Sequence, residues 1–140
     1  DQPEDARARF GLAEALRKQG RFDEALAARR LAHAAAGDDV LARDFERARG
    51  AAGYRAMVRA SARREIERLD ARQEAGGYVS PFDQARAFVQ LGEAGRAFER
   101  LVAALDERAA GLTLLKVDAA WDEVRADPRF EAAVARVGIP

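Results

Sequence analysis

Apolar positions recur at helical spacing along most of the chain, and two stretches repeat one another. In residues 78–105, Phe82, Ala85, Phe88 and Leu91 follow at steps of three, and Gly92 interrupts them. Ala97, Phe98, Leu101, Ala104 and Leu105 then resume on one face. This periodicity predicts two amphipathic helices joined by a tight turn. The polar residues agree. Ser80 is a candidate N-cap, Pro81 fits the first helical turn, and Asp83 completes an S-x-x-D capping box. Shifted by 72 residues, the same pattern reappears near the start of the chain. Gly20 matches Gly92, Phe10 matches Phe82, Ala13 matches Ala85, Leu16 matches Phe88, Ala25 matches Ala97 and Ala32 matches Ala104.

The remaining elements follow from the same signals. A first helix over Asp5–Gln19 is expected to turn Phe10, Leu12, Ala13 and Leu16 inward, and Gly20 stops it. Asp23 is expected to cap the second, which runs to about Ala36 with Ala25, Leu26, Ala28, Leu31, Ala32 and Ala35 as its apolar side. Alanine at positions 13, 25 and 32 allows the two helix axes to approach closely. Asp38 or Asp39 opens a helix with Leu41, Phe45 and Ala48 that fades at Gly50–Gly53. A long helix, Tyr54–Glu74, places Tyr54, Met57, Val58, Ala62, Ile66 and Leu69 on one side. Its other side is read as an arginine face of Arg55, Arg59, Arg63, Arg64, Arg68 and Arg72. Gly76-Gly77 is a linker, and Gly111 breaks the chain again after the second hairpin. Leu112, Leu114, Leu115 and Val117 form a short apolar segment, and Asp118 caps a brief helix carrying Trp121 and Val124. Asp127-Pro128 opens a last helix with Phe130, Ala133, Val134 and Val137 inward, closed by Gly138.

Composition narrows the class. The 140 residues are 49% hydrophobic but only 7% aromatic, so alanine dominates, which suits close helix packing. Twenty-four basic residues balance 24 acidic ones, so nothing demands a polyanionic partner, and nucleic acid is not expected. The absence of cysteine excludes a disulfide framework and thiol chemistry. No apolar run approaches the ~18 residues of a membrane span, so no membrane association is expected and the expected compartment is the cytoplasm. The chain begins at Asp1 without Met, which reads as a piece trimmed from a longer protein.

A helical hairpin of this kind resembles a tetratricopeptide repeat (TPR), a unit that buries its apolar face only by stacking on neighbours. The 72-residue offset is two such periods of roughly 34 residues plus a small insertion. The expected fold is all-α: a right-handed stack of antiparallel hairpins forming one domain. Repeat 1 covers 5–37, an irregular repeat 2 covers 38–75, repeat 3 covers 78–110, and capping helices occupy 111–140. Three stretches sharpen the resemblance: Tyr78-Val79-Ser80-Pro81-Phe82-Asp83; Leu91-Gly92-Glu93 through Arg96-Ala97-Phe98-Glu99; and Leu115-Lys116-Val117-Asp118 through Trp121-Asp122 to Arg125-Ala126-Asp127-Pro128-Arg129-Phe130. They are similar to the C-terminal TPR region of bacterial signalling proteins and transcriptional regulators. The chain departs from that pattern at Ala119, where proline is usual, at Gln84, where a bulky apolar residue is usual, and at Arg29, commonly aromatic or leucine.

The resemblance implies a non-catalytic protein–protein interaction module, the regulatory segment of a larger signalling protein, with self-association of the parent protein as the alternative. In TPR stacks the first helix of each hairpin lines the concave surface. That implies a partner-binding groove of Arg7, Phe10, Glu14, Arg17 and Lys18 from the first hairpin, with Phe82, Arg86, Val89 and Gln90 from the last. Phe10 and Glu14 stand where the carboxylate clamp of chaperone-binding TPRs has Lys and Asn, so a free C-terminal carboxylate is not the expected ligand. The residues themselves point to no catalytic group, metal or cofactor. His33 is the lone histidine and reads as an ordinary residue of the second helix. Asp38-Asp39 and Asp106-Glu107 fall at helix ends, where capping or solvation explains them. Glu65, Glu67, Asp70 and Glu74 interleave with the arginines, as on a solvated helix face. Trp121 and Phe130 are expected to pack on the end of the last hairpin.

Overall fold

The computed structural model describes the backbone of residues 3–138 and the side chains of 7–138. Asp1, Gln2, Ile139 and Pro140, at the ends of the expected domain, lie outside the described residues. Every regular element among the described residues is helical. The α-helices are α1 (Pro3–Lys18), α2 (Phe22–Ala35), α3 (Asp39–Phe45), α4 (Gly50–Glu74), α5 (Pro81–Leu91), α6 (Ala94–Glu107) and α7 (Pro128–Val137). Two 3-10 segments, Leu112–Leu114 and Ala119–Val124, lie between α6 and α7. The chain divides into two compact units, Asp1–Ser61 and Ala62–Pro140, with the boundary inside α4. It therefore falls within the stretch read as repeat 2.

In the first unit α1 packs on α2 and α2 on α3. Its core gathers Ala13, Leu16, Ala25, Leu26, Ala28, Leu41, Phe45, Tyr54 and Met57. Two expected core residues lie outside: Leu12 is 54% exposed and Leu31 is 40% exposed. Each sits one residue, about 100° around the helix, from a fully buried alanine, Ala13 or Ala32, so it turns out of the contact. Asp23 does not cap its own helix. The N-cap of α2 is Arg21, which makes no side-chain cap bond. The Asp23 carboxylate instead accepts the Gly50 N–H at 2.8 Å, satisfying an orphan donor at the start of α4. Asp38 caps α3, accepting from the Leu41 N–H at 3.1 Å. The helix break expected at Gly50–Gly53 is displaced, because α4 already begins at Gly50.

In the second unit α5 packs on α6, the second 3-10 segment on α5, and α7 on α6. Local chemistry fixes each start. Ser80 accepts from the Phe82 N–H, Asp118 from Ala120 and Asp127 from Arg129, and Pro81 and Pro128 occupy first helical turns. Trp121 is fully buried, with its ring 6.1 Å from Phe82 and 6.0 Å from Phe130. Gly111 is required twice over. Its φ is +95°, and a Cβ there would lie 2.9 Å from the Phe82 ring. Leu114 and Val117, from the apolar segment before Asp118, are 60% and 72% exposed, while Leu112 and Leu115 turn into the core.

The two hairpins match in detail at the 72-residue offset. Ala13 and Ala85, Ala25 and Ala97, and Ala32 and Ala104 are all 0% exposed. Gly20 and Gly92 both adopt the left-handed conformation after the first helix of their hairpin, with φ of 77° and 91°.

Candidate functional site

The most unusual group in the first unit is built around a buried cation. Arg29 on α2 corresponds, 72 residues on, to Leu101 of α6, which is 1% exposed. Arg29 is itself only 6% exposed. A guanidinium at a leucine position must be paired, and two other helices, α1 and α4, supply the partners. Its Nε donates to the Tyr54 hydroxyl on α4 at 2.9 Å, and its Nη2 donates to Glu14 Oε1 on α1 at 3.2 Å. Tyr54 in turn donates to Glu14 Oε1 at 3.1 Å, and Arg17 donates to Glu14 Oε2 at 2.8 Å. The guanidinium also lies 5.4 Å from the ring centroids of both Phe10 and Tyr54.

These contacts set the protonation states. Burial pushes the Glu14 carboxyl up, but Arg17 and Arg29 more than reverse this and hold it below the usual glutamate range. Burial raises the Tyr54 phenol above its usual value, outweighing the pull of Arg29. His33 is buried one turn further along α2, edge-on to Phe10 and stacked on Phe45, with centroids 5.0 and 5.1 Å away. Its Nε2 meets Ser61 Oγ at 3.1 Å. Arg29, Tyr54, His33 and Ser61 thus tie α1, α2 and α4 together. Arg29 was visible in the sequence as a polar residue in a leucine register; Tyr54 and Ser61 carried no such signal.

The residues expected to line a groove have separate environments. In the first unit Arg7 and Lys18 are exposed, while Phe10, Glu14 and Arg17 are partly buried, with Phe10 and Glu14 against Arg29. In the second unit Phe82 and Val89 are 6% and 2% exposed and belong to the core, so neither can serve as a surface anchor. The α5 face that carries them turns onto α6 and the second 3-10 segment. Arg86 is exposed and pairs with Asp118 at 2.8 Å, and Gln90 is half-buried. Gln84, another departure from the family pattern, is buried and accepts from Arg100 at 3.2 Å.

An open apolar cleft lies elsewhere on the second unit. Phe98, Leu101, Val102 and Leu105 of α6 form one wall, and Ala132 and Ala133 of α7 the other, around about 190 Å³. Val102 is 50% exposed there. Arg129 and Arg136 complete the lining. Arg129 lies 4.4 Å from the centroid of Phe98 and pairs with Asp127 at 2.9 Å, while Arg136 pairs with Asp106 at 2.8 Å. Each guanidinium has five N–H donors, so both retain capacity for a further carboxylate. The cleft pairs an apolar floor with two fixed cations, which is chemistry for holding a segment of another chain. Helical spacing marks Phe98, Leu101 and Leu105 only as packing residues, and the exposure of Val102 is what distinguishes the site.

The arginines of α4 do not share one face. Arg59 and Arg68, the centres of the triplets Arg55, Arg59, Arg63 and Arg64, Arg68, Arg72, are nine positions apart. At about 100° per residue that is two and a half turns, so the triplets occupy opposite sides. Arg68 is neutralised locally by Glu65 at 2.8 Å. Among the described residues, no group of three or more His, Asp or Glu side chains is placed to hold a metal ion, and no helix is long and apolar enough to cross a membrane. Comparison with protein-family profiles, curated proteins and solved structures returns no significant match to this chain.

Proposed function

We propose that this chain is a non-catalytic helical-repeat module of the TPR kind that docks a segment of another protein. The observation that carries this reading is the α6–α7 cleft: an apolar floor of Phe98, Leu101, Val102 and Leu105 between Arg129 and Arg136. Its fit is to an amphipathic helical segment, with apolar anchors at helical spacing and acidic residues beside them. The docking surface is therefore this cleft and not the α5 face, whose aromatic and valine anchors are used in the core.

The residues that carry the family resemblance are structural. Ser80, Asp118 and Asp127 cap helices, and Trp121 and Phe130 fill the core of the second unit. They support a role as the regulatory segment of a larger bacterial signalling protein without implying a shared ligand. The reading is tested with designed amphipathic helical peptides bearing acidic, neutral or basic flanks, followed by fluorescence anisotropy. The acidic series is expected to bind, and Val102→Glu to abolish binding with an unchanged circular dichroism spectrum. Equal binding of all three series, or wild-type affinity in Val102→Glu, would contradict it.

A further inference from the structure

Helix α6 borders the cleft with one face and carries acid on the next. Phe98 and Leu105, on the cleft floor, stand about 40° and 60° from Val102 on one side, at about 100° per residue. Asp106 and Glu99 stand about 40° and 60° from it on the other side. Val102 is 50% exposed, and both carboxylates are exposed. The outer face of α6 is therefore an apolar anchor with one acid a turn before it and another a turn after. An anchor with acidic neighbours is also the chemistry that the cleft fits. Asp106 pairs with Arg136 of its own chain, whereas no hydrogen bond or ion pair holds Glu99 among the described residues.

The basic wall of the cleft has the same spacing. Arg129 lies over Phe98 and Arg136 beside Asp106, so α7 runs alongside α6 in the same direction. Glu99 and Asp106 are seven residues apart (106 minus 99), and so are Arg129 and Arg136 (136 minus 129). Seven residues advance a helix by about 10.5 Å and return a side chain to within about 20° of its starting azimuth. The two acids thus form one row on α6 and the two arginines one row on α7, at matching heights. Gly95 is exposed on the same outer face, about 20° from Val102. A Cβ at Gly95 would meet no packing neighbour within 4 Å, so no contact among the described residues requires a glycine, which weakens a helix.

We infer that the α6–α7 cleft takes α6 of a second copy of this chain, in a parallel two-fold dimer. Self-docking rests on the reading of that cleft as a docking surface, with the chain supplying its own occupant. With the two-fold axis along the helices, each α6 enters the cleft of the other copy and Val102 meets its counterpart near the axis. Glu99 and Asp106 then reach Arg129 and Arg136 of the second copy without an axial shift, and each pair occurs twice. Arg129 and Arg136 keep Asp127 and Asp106 of their own chain and use their remaining N–H groups. Gly95 faces its counterpart and lets the two helix axes come close. Charge disfavours an antiparallel pair centred on Val102, which sets Glu99 at the height of Leu105 of the second copy, next to its Asp106. Every residue involved belongs to the second unit. A second copy and a segment of another protein therefore compete for one cleft.

Exposed ion pairs are individually weak, so the dimer is reversible and salt-sensitive. Sedimentation velocity from about 1 μM to about 1 mM protein tests it. Wild-type protein is expected to dimerise near about 0.01 M ionic strength, where the Debye length is about 30 Å, and to dissociate near about 1 M, where it is about 3 Å. Glu99→Arg sets like charge against Arg129 of the second copy, and Arg129→Glu sets it against Glu99. Each variant is expected to be monomeric alone, and an equimolar mixture to recover the dimer. A wild-type monomer at low salt, a dimer indifferent to high salt or retained in Glu99→Arg, or a mixture that stays monomeric while the wild type dimerises would overturn self-docking. The salt series needs no variant, so it decides even if one of them misfolds. The acidic amphipathic peptides are titrated separately into Glu99→Arg, whose cleft lining is intact. Peptide binding there beside a wild type that never dimerises overturns self-docking alone. A salt-sensitive wild-type dimer whose cleft takes no peptide supports self-docking and overturns only the peptide reading.

Discussion

Arg29 donates to the Tyr54 hydroxyl at 2.9 Å in the position where the second hairpin keeps Leu101. A buried guanidinium stabilises only while its partners remain, so replacing it with the leucine of the matching hairpin should cost little. Arg29→Leu is expected to change stability by less than about 1 kcal/mol, because Glu14 keeps Arg17. Glu14→Leu strands the cation and should cost about 2–3 kcal/mol, below the full penalty for a broken buried pair because the Glu14 side chain is 27% exposed. Urea denaturation followed by circular dichroism checks this, and the reverse order of the two costs would contradict it.

The same group predicts a pH dependence. Glu14 is depressed in the folded state, so its contribution is complete above the unfolded glutamate value of about 4.3 and is lost as pH falls through the lower folded value. Tyr54 is raised, so its contribution is complete below about pH 10 and is lost as pH climbs through the folded value. Denaturation midpoints should fall at both extremes. Glu14→Gln should flatten the acid limb relative to wild type, and superimposable acid limbs would remove Glu14 from the explanation.

Ala97 is 0% exposed at the contact between α5 and α6, and Ala25 is its counterpart in the first hairpin. Enlarging either to leucine should cost about 1–3 kcal/mol by overpacking. Ala110→Leu, on an exposed position, is the control and should have little effect. Equal small changes at all three sites would contradict the matched register.

Gly111→Ala combines a positive φ with a clash against Phe82, and about 1–3 kcal/mol of destabilisation is expected. Trp121 is the only tryptophan, is fully buried and contacts Phe82, so its fluorescence reports on this unit. The variant's tryptophan transition should move to lower denaturant. An unshifted transition would show that the Phe82 ring yields freely.

What could be read from the sequence was local chemistry. Ser80, Asp118 and Asp127 were legible as caps because a cap bond spans two or three residues. The glycine stops at Gly20 and Gly92 were legible for the same reason. Properties set by a distant neighbour were not. Asp23 caps a helix 27 residues away, Leu12 turns outward because α1 meets α2 along another line, and Val89 is core because α5 is covered on two sides. The α6–α7 cleft was illegible for the same reason: helical spacing marks Val102 as neither core nor surface until the position of α7 is known. The arginines of α4 are close in sequence but divide between two sides of the helix, because Arg59 and Arg68 stand about 180° apart at about 100° per residue.

The proposed docking site is tested most directly by backbone hydrogen–deuterium exchange on the wild-type chain, with and without a saturating acidic amphipathic helical peptide. Docking in the cleft predicts slowed exchange confined to residues 94–107 and 128–137, on α6 and α7. Protection appearing instead on residues 3–18 and 81–91, or no protection at saturation, would contradict the assignment of the α6–α7 cleft as the docking surface.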